Sequence, residues 1–456
     1  MLKLSVLATA TLVALSFSSF ADAAGRPDLV SRDLQRGKEY VAGQMMIQYR
    51  SFATSADKAR VQRILGAKLA EVLGKKGSKL NFKGDLDLVK FTPGTSMQSK
   101  LDLIKNDPSV DFAEPNWIVK TLATSNDPYY TDGTLWGMYG ASTAPANQFG
   151  SSAGTAWNAP AGADCSSVVV GIIDQGMMVS HPDLVGNAYK NPGDSTFNGR
   201  DDDGNGLIDD VYGWDFASND SSVFDGSQDY HGTHVAGTIG ATGGNGVGVA
   251  GVCWKVKLMN AKFLNPRGTS ANAVKAVDYF TNLKLKGIPV VATNNSWGGG
   301  GFSQSLQDAI ERANAADILF IAAAGNDGYD NDLWGPSYPG GYPNSNIIAV
   351  AALNPDGALA SYSQWGLTSV DIGAPGTQVM STFPQYIKGK TVATYAYLSG
   401  TSMATPHVTG AAALYKARHP SATAAVIKAA ILNSATPTPS LQDKVVTGGR
   451  LNVTGF

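Results

Sequence analysis

Five apolar-rich runs, Val168–Ile173, Val256–Leu264, Ile288–Ala292, Ile318–Ala324 and Ile347–Ala352, recur through the middle of the chain and set the strongest limit on its fold. Each has the length of a strand rather than a helix and reads as a strand buried on both faces. Between and after them lie helical stretches, His231–Ile239, Ser270–Lys284, Ser303–Ala315 and Thr401–Arg418. Strands alternating with helices define an α/β fold with a doubly wound, mostly parallel sheet. In such sheets a ligand site lies at the carboxyl ends of the strands.

The composition agrees with a large packed body. Of 456 residues 16% are charged, against roughly 25% in an average soluble domain. With 52 glycines spread without a collagen-like repeat, disorder, collagen and coiled coil are excluded. The 35 Lys and Arg against 37 Asp and Glu argue against a nucleic-acid binder, which carries a basic excess. The balance is uneven along the chain. Residues 24–123 hold 17 basic and 11 acidic residues, a net +6, whereas residues 124–456 hold 17 basic and 25 acidic, a net −8. Two bodies of opposite charge are expected.

Residues 1–23 start with Lys3, continue through an apolar run from Leu4 to Phe17 and end in Ala21-Asp22-Ala23, the pattern of a secretory signal peptide. The run is shorter than the roughly 20 residues of a membrane span. A protein outside the cytoplasm, secreted or periplasmic, with no membrane attachment after signal removal, is expected. Export permits Cys165 and Cys253 to form a disulfide, with two buried thiols as the alternative. From 43 to 120 the pattern is strand (45–49), helix (55–65), strands (68–73 and 86–91), helix (96–104) and strand (110–119), the βαββαβ order of a small split-βαβ sandwich. The expected organisation is therefore residues 1–23, 24–123 and 124–456.

Three polar residues stand where the sheet's site should be. Asp174 ends the run Val-Val-Val-Gly-Ile-Ile-Asp, His231 opens His-Gly-Thr-His-Val-Ala-Gly-Thr at a helix start, and Ser402 lies in Ser399-Gly-Thr-Ser-Met-Ala-Thr-Pro-His407 at the start of a long apolar helix. A serine nucleophile needs a base to take its proton and a carboxylate to orient that base. Singly, each reads more readily as a turn residue, a structural histidine or an N-cap. Gly150-Ser-Ser-Ala-Gly154 and Gly246-Val-Gly-Val-Ala-Gly251 fit an esterase elbow and a dinucleotide loop in letters only, because neither has the strand-to-helix context those motifs need.

Taken together, the three motifs resemble those of the subtilisin-like serine peptidases, in the chain order Asp, His, Ser, and the likeness runs over nearly all of residues 127–436. The resemblance implies an endopeptidase in which Ser402 attacks the peptide carbonyl, His231 acts as base then acid and Asp174 orients His231, with His234 structural. By the same likeness Asn326, in Ala-Ala-Ala-Gly-Asn-Asp-Gly, is the oxyanion donor alongside the Ser402 backbone N–H. The implied substrate walls are Ser296, Trp297, Gly298 and Gly299 on one side and Ala323, Ala324 and Gly325 on the other, with Ser337 near the floor. Trp297 stands where the family more usually has an aliphatic residue. Nothing charged lines this expected pocket, so a broad preference for apolar or aromatic residues before the cut follows. The +6 body, ending in Asp111-Phe-Ala-Glu-Pro-Asn-Trp-Ile-Val, resembles a subtilase prosegment, which implies an intramolecular chaperone and inhibitor cut away between about 119 and 127.

The run Asp201-Asp-Asp-Gly-Asn-Gly-Leu-Ile-Asp-Asp210 supplies spaced oxygen donors at Asp201, Asp203 and Asn205, then Asp209 and Asp210, as in a Ca²⁺ loop, although Tyr212 stands where an EF-hand has Glu. Asp183 and Asn245 resemble a second calcium site of the family. The expected partners are peptide or protein substrates and the prosegment, with no nucleic acid, for a monomer holding structural Ca²⁺. A serine esterase, a peptidase of limited substrates and a catalytically silent binding protein on the same fold are the competing readings.

Overall fold

The computed structural model describes residues 25–35, 37–38, 40–79, 82–94, 96–118, 125–159 and 162–456. The expected signal peptide and most of the expected cleavage segment lie outside these residues. The chain divides into two compact units, Met1–Thr121 and Leu122–Phe456.

The first unit is a four-stranded antiparallel sheet in the order Ala67–Gly74, Leu86–Phe91, Tyr40–Tyr49, Val110–Trp117. Helices Ser55–Leu65 and Met97–Ile104 complete the expected βαββαβ order. Thr54 and Asp57 close a reciprocal capping box at the start of the first helix, and Gly66 ends it at φ 62°. Met45, Ile47, Val61, Leu65, Val89 and Ile104 are fully buried between sheet and helices. The helix Pro27–Gln35 was not expected; it buries no residue fully, and Val30 and Leu34 pack against the core from its apolar side.

The second unit holds a nine-stranded sheet in the order Thr436–Pro437, Gly449–Arg450, Ile372–Pro375, Ile347–Leu353, Leu319–Ala323, Val290–Asn295, Val169–Asp174, Lys257–Lys262, Gly213–Asp215. All neighbours pair in parallel except the edge pair at Thr436–Pro437. The five expected strands are its centre, and every residue of Val169–Asp174, Val290–Asn295, Leu319–Ala323 and Ile347–Leu353 is buried. Two large apolar clusters form most of its core: Val170, Ile172, Ile321 and Val350 belong to one, and Val169, Ile173, Phe280 and Phe320 to the other. Gly171 must stay small, because a Cβ there would meet the Phe280 ring at 2.7 Å.

Helices Tyr230–Gly240, Ser270–Leu285, Gln304–Ala315 and Thr401–Arg418 match expectation to within a residue or so. Thr269 and Ser303 cap the second and third through side chains that accept from Asn272 N and Leu306 N. The fourth is buried nearly throughout its first fourteen residues and packs on strands Val290–Asn295, Leu319–Ala323 and Ile347–Leu353. The hairpin of Val379–Ile387 with Lys390–Leu398 was not foreseen. Its two-residue turn puts Lys388 at φ 49° and Gly389 at φ 83°, the left-handed pair that suits a twisted hairpin. Cys165 and Cys253 form a disulfide, with Cα atoms 5.9 Å apart.

Candidate active site

Asp174 is the last residue of its strand, fully buried, and the neighbouring helix begins at Tyr230. His231 Nδ1 lies 2.9 and 3.0 Å from the two Asp174 carboxylate oxygens. One of these oxygens also accepts the Gln175 N–H at 2.7 Å. Burial pulls the His231 imidazole down, while the Asp174 charge and hydrogen bond pull it up and leave it above its ordinary value. The approach of helix to strand requires Gly232, where a Cβ would collide with the Gly176 carbonyl.

Gly400 (φ 157°) precedes the helix Thr401–Arg418, so Ser402 is its second residue. At that position the backbone N–H has no partner four residues back within the helix, and the helix dipole favours negative charge beside it. The Ser402 hydroxyl donates to the Ser296 carbonyl at 3.0 Å, and no hydrogen bond to His231 is formed among the described residues. Asn326 follows the strand Leu319–Ala323 and is exposed. Its Oδ1 accepts from Thr401 N at 2.8 Å and Thr401 Oγ1 at 3.0 Å, which leaves Nδ2 as the end without a protein acceptor among the described residues.

A cavity of about 250 Å³ opens beside Ser402 and Asn326, lined by Trp297, Gly298, Gly299, Ala323, Gly325 and Ser337 among others. Gly325, at φ 114°, leaves no room for a Cβ against Gln364 Oε1. Two expectations change here. Ala324 does not line the cavity; its side chain joins the core with Ala351, Leu353 and Val370. Asp327 is part of the lining, so the pocket is not free of charge. A second cavity of about 540 Å³ reaches from His231 and Ser296 past Trp297 to Arg267 and Leu306. The Trp297 ring stacks edge-on against Phe263 at 4.9 Å and is anchored in the core.

The other buried histidines have no part in this arrangement. His234 Nε2 lies 3.0 and 3.1 Å from the Val379 and Ala396 carbonyls, which fixes the proton on that nitrogen, and burial pushes its pKa down to about 3. His407 is pushed down to about 4 by burial.

The acidic loop splits in two. Asp203, Asn205 and Asp210 converge with Asn191: Asn191 Nδ2 reaches Asp203 at 3.0 Å and Asp210 at 2.8 Å, and Asn205 Nδ2 reaches Asp210 at 3.0 Å. Burial lifts Asp210 to about 6. Asp201 and Asp209 instead accept loop N–H groups, from Asn205 and Gly206 and from Asn198 and Gly199 respectively. Asp194 was missed by sequence reasoning, lying outside the acidic run; it is fully buried and its Oδ1 has no partner among the described residues. Asn245 Nδ2 donates to Asp183 at 3.0 Å. Beside them Asp127, also unforeseen, accepts the backbone N–H groups of Gly244, Asn245 and Gly246. Among the described residues no group of three His, Cys, Asp or Glu is gathered closely enough to hold a metal ion.

Comparisons with known proteins place the chain in a family. The Subtilase family model matches residues 166–455, and the Fervidolysin N-terminal prodomain model matches residues 30–116. A thermophilic serine proteinase of Bacillus sp. (strain AK1) is 31% identical over 82% of this chain and 78% of its own. An extracellular protease of Xanthomonas campestris pv. campestris is 34% identical over 73% of this chain, which spans 56% of that longer protein. A solved structure of proteases from Pseudoalteromonas arctica PAMC 21717 superposes with TM-score 0.60 at 27% identity, covering 73% of this chain and 98% of that one. The chain belongs to the subtilase family and is a subtilisin-like serine peptidase with an N-terminal prodomain.

Proposed function

We propose that the protein is a secreted serine endopeptidase made as a self-processing precursor, working through Asp174, His231 and Ser402. The observation that carries this reading is the bond of His231 Nδ1 to Asp174 at 2.9 Å, beside a serine at a helix start and an amide with a free Nδ2. The Ser402 hydroxyl leaves the Ser296 carbonyl and gives its proton to His231 Nε2 as its oxygen attacks the peptide carbonyl. Asp174 stabilises the imidazolium so formed. The oxyanion is received by Asn326 Nδ2 and the Ser402 N–H. His231 then protonates the departing amine, and water repeats the sequence on the acyl-enzyme. The cavity at Gly298, Gly325 and Ser337 takes the residue before the cut, with apolar or aromatic side chains preferred and Asp327 tolerating a basic one.

Residues 1–23 act as the export signal, residues 24–123 as an inhibitory prosegment and folding aid, and residues 124–456 as the peptidase, with self-cleavage between about 119 and 127. Export is supported by the extracellular relative; among the described residues no helix is long and apolar enough to cross a membrane. Opposite net charges, +6 and −8, favour association of the two parts at low salt. Calcium is proposed in a structural role at the acidic loop, where Asp203, Asn205 and Asp210 converge with Asn191 and would have to close further around an ion, because among the described residues no three carboxylates are gathered closely enough to hold one. The fit is supported by the buried Asp194 Oδ1, partnerless among the described residues, and by the all-oxygen chemistry of the donors. A chelator should lower the melting temperature and hasten autolysis; no change in either would remove calcium from the account.

The deciding experiment sequences the N-terminus of purified wild type and Ser402→Ala and assays both on casein. The proposal expects a cut, active wild type and an uncut, inactive variant. Cleavage of short esters without casein would favour the esterase reading.

A further inference from the structure

Lys262 is fully buried, and its ammonium is shared among three carboxylates, one at the end of the strand Gly213–Asp215 and two in the loop that leads into the helix Tyr230–Gly240. Nζ lies 2.6 Å from Asp225, 2.8 Å from both oxygens of Asp229 and 4.0 Å from Asp215. Asp215 and Asp229 are themselves buried, and the Asp215 oxygen facing the lysine has no hydrogen-bond partner among the described residues. Taking such ions out of water costs several kcal/mol each, so this cluster is an expensive way to fill space that a methionine would fill.

What it joins explains the expense. Lys262 is the register partner of Asp174 in the parallel sheet, and the next residue, Phe263, donates its N–H to the Asp174 carbonyl at 2.9 Å. Asp229 is the N-cap residue of the helix whose second residue is His231. Its side chain also accepts the Asp225 N–H at 2.6 Å, and its carbonyl accepts the Thr233 hydroxyl at 2.8 Å. The lysine therefore ties the strand end beside Asp174 to the helix start that carries His231.

We propose that Lys262 is a positioning residue for His231, holding Asp229 so that the helix start keeps the imidazole in register with Asp174. The inference rests on the proposed triad. It places Lys262 and Asp229 in one unit: losing either releases the same clamp, and losing both adds nothing further.

The test uses full-length precursors of wild type, Lys262→Met, Asp229→Asn and the double variant, matured and titrated with a serine-directed covalent inhibitor so that kcat refers to folded sites only. Each variant is expected to lose kcat by about 10- to 100-fold, with KM within about twofold of wild type, and the double variant to be no worse than the poorer single one. A purely structural role would lower the titrated fraction and leave kcat per site unchanged. Wild-type kcat in either single variant, additive losses, or a raised KM at unchanged kcat would overturn the inference. If Lys262→Met does not fold, Asp229→Asn alone decides by the same criterion, since Lys262 there keeps Asp225. Ser402→Ala and His231→Ala run beside them: residual casein cleavage in those two would fail the triad reading, whereas their inactivity with a fully active Lys262→Met would fail only the positioning role.

Discussion

Ser402 and Ser296 hold each other reciprocally: the Ser402 hydroxyl donates to the Ser296 carbonyl at 3.0 Å, and the Ser296 hydroxyl donates to the Ser402 carbonyl at 2.7 Å. The pair joins the end of the strand Val290–Asn295 to the first turn of the helix Thr401–Arg418. Asn294 backs it, donating to Ser296 Oγ at 2.9 Å while accepting from Thr409 at 2.9 Å. Ser296→Ala removes one bond of the pair and keeps the carbonyl on which the nucleophile rests. A neutral hydrogen bond is worth about 1 kcal/mol net, or roughly fivefold; kcat should fall by about that factor in steady-state peptide hydrolysis.

Asn326 presents the stronger case for a transition-state contact. Thr401 fixes its oxygen twice, so the amide nitrogen is preset before any substrate arrives. Asn326→Ala should lower kcat by about 10²–10³, the range measured for an oxyanion-hole amide in a subtilisin, with KM nearly unchanged. A change confined to KM would mean that the amide binds ground-state substrate instead.

Asp174 raises the His231 pKa against the pull of burial. A base must be neutral to accept a proton, so kcat/KM should fall as pH drops through a midpoint above the ordinary imidazole value of about 6.5. Asp174→Asn removes both upward influences; the acid limb should move to lower pH while the rate drops by about 10⁴. A pH–rate profile of wild type and variant reads both effects.

The proposed triad residues Asp174, His231 and Ser402 stand out as candidates because each sits in a short, unbroken motif at a strand end or helix start, where local sequence and chemistry coincide. The central strands were legible for a related reason: burial on both faces leaves near-continuous apolar runs. The hairpin Val379–Leu398 was not, because Thr, Tyr and Ala mix along strands whose burial is partial. Asp194 and Asp127 were missed because their partners are supplied by folding rather than by adjacent sequence. The family resemblance placed Ala324 in the pocket wall, yet alternation along an extended segment turns its side chain into the core.

Three buried histidines make stability depend on acid, since burial lowers His181 as well as His234 and His407. His234 and His407 titrate at about 3 and about 4 in the folded chain, against about 6.5 when unfolded. Below pH 6.5 the unfolded chain takes up protons first, so their contribution is complete above that pH and is lost as pH falls toward 4. The melting temperature of the inactive Ser402→Ala protein should decline over this window. His407→Gln should show a shallower decline, whatever its melting temperature at neutral pH.

The central claim is that Ser402 is the nucleophile of a peptidase, and covalent labelling tests it most directly. Purified mature protein is treated with an organofluorophosphonate, the label is located by peptide mass, and residual casein hydrolysis is followed in the same sample. The account predicts one label per molecule, on Ser402, with hydrolysis lost in proportion. Undiminished casein hydrolysis after full labelling, or a label on another serine with loss of activity, would contradict it.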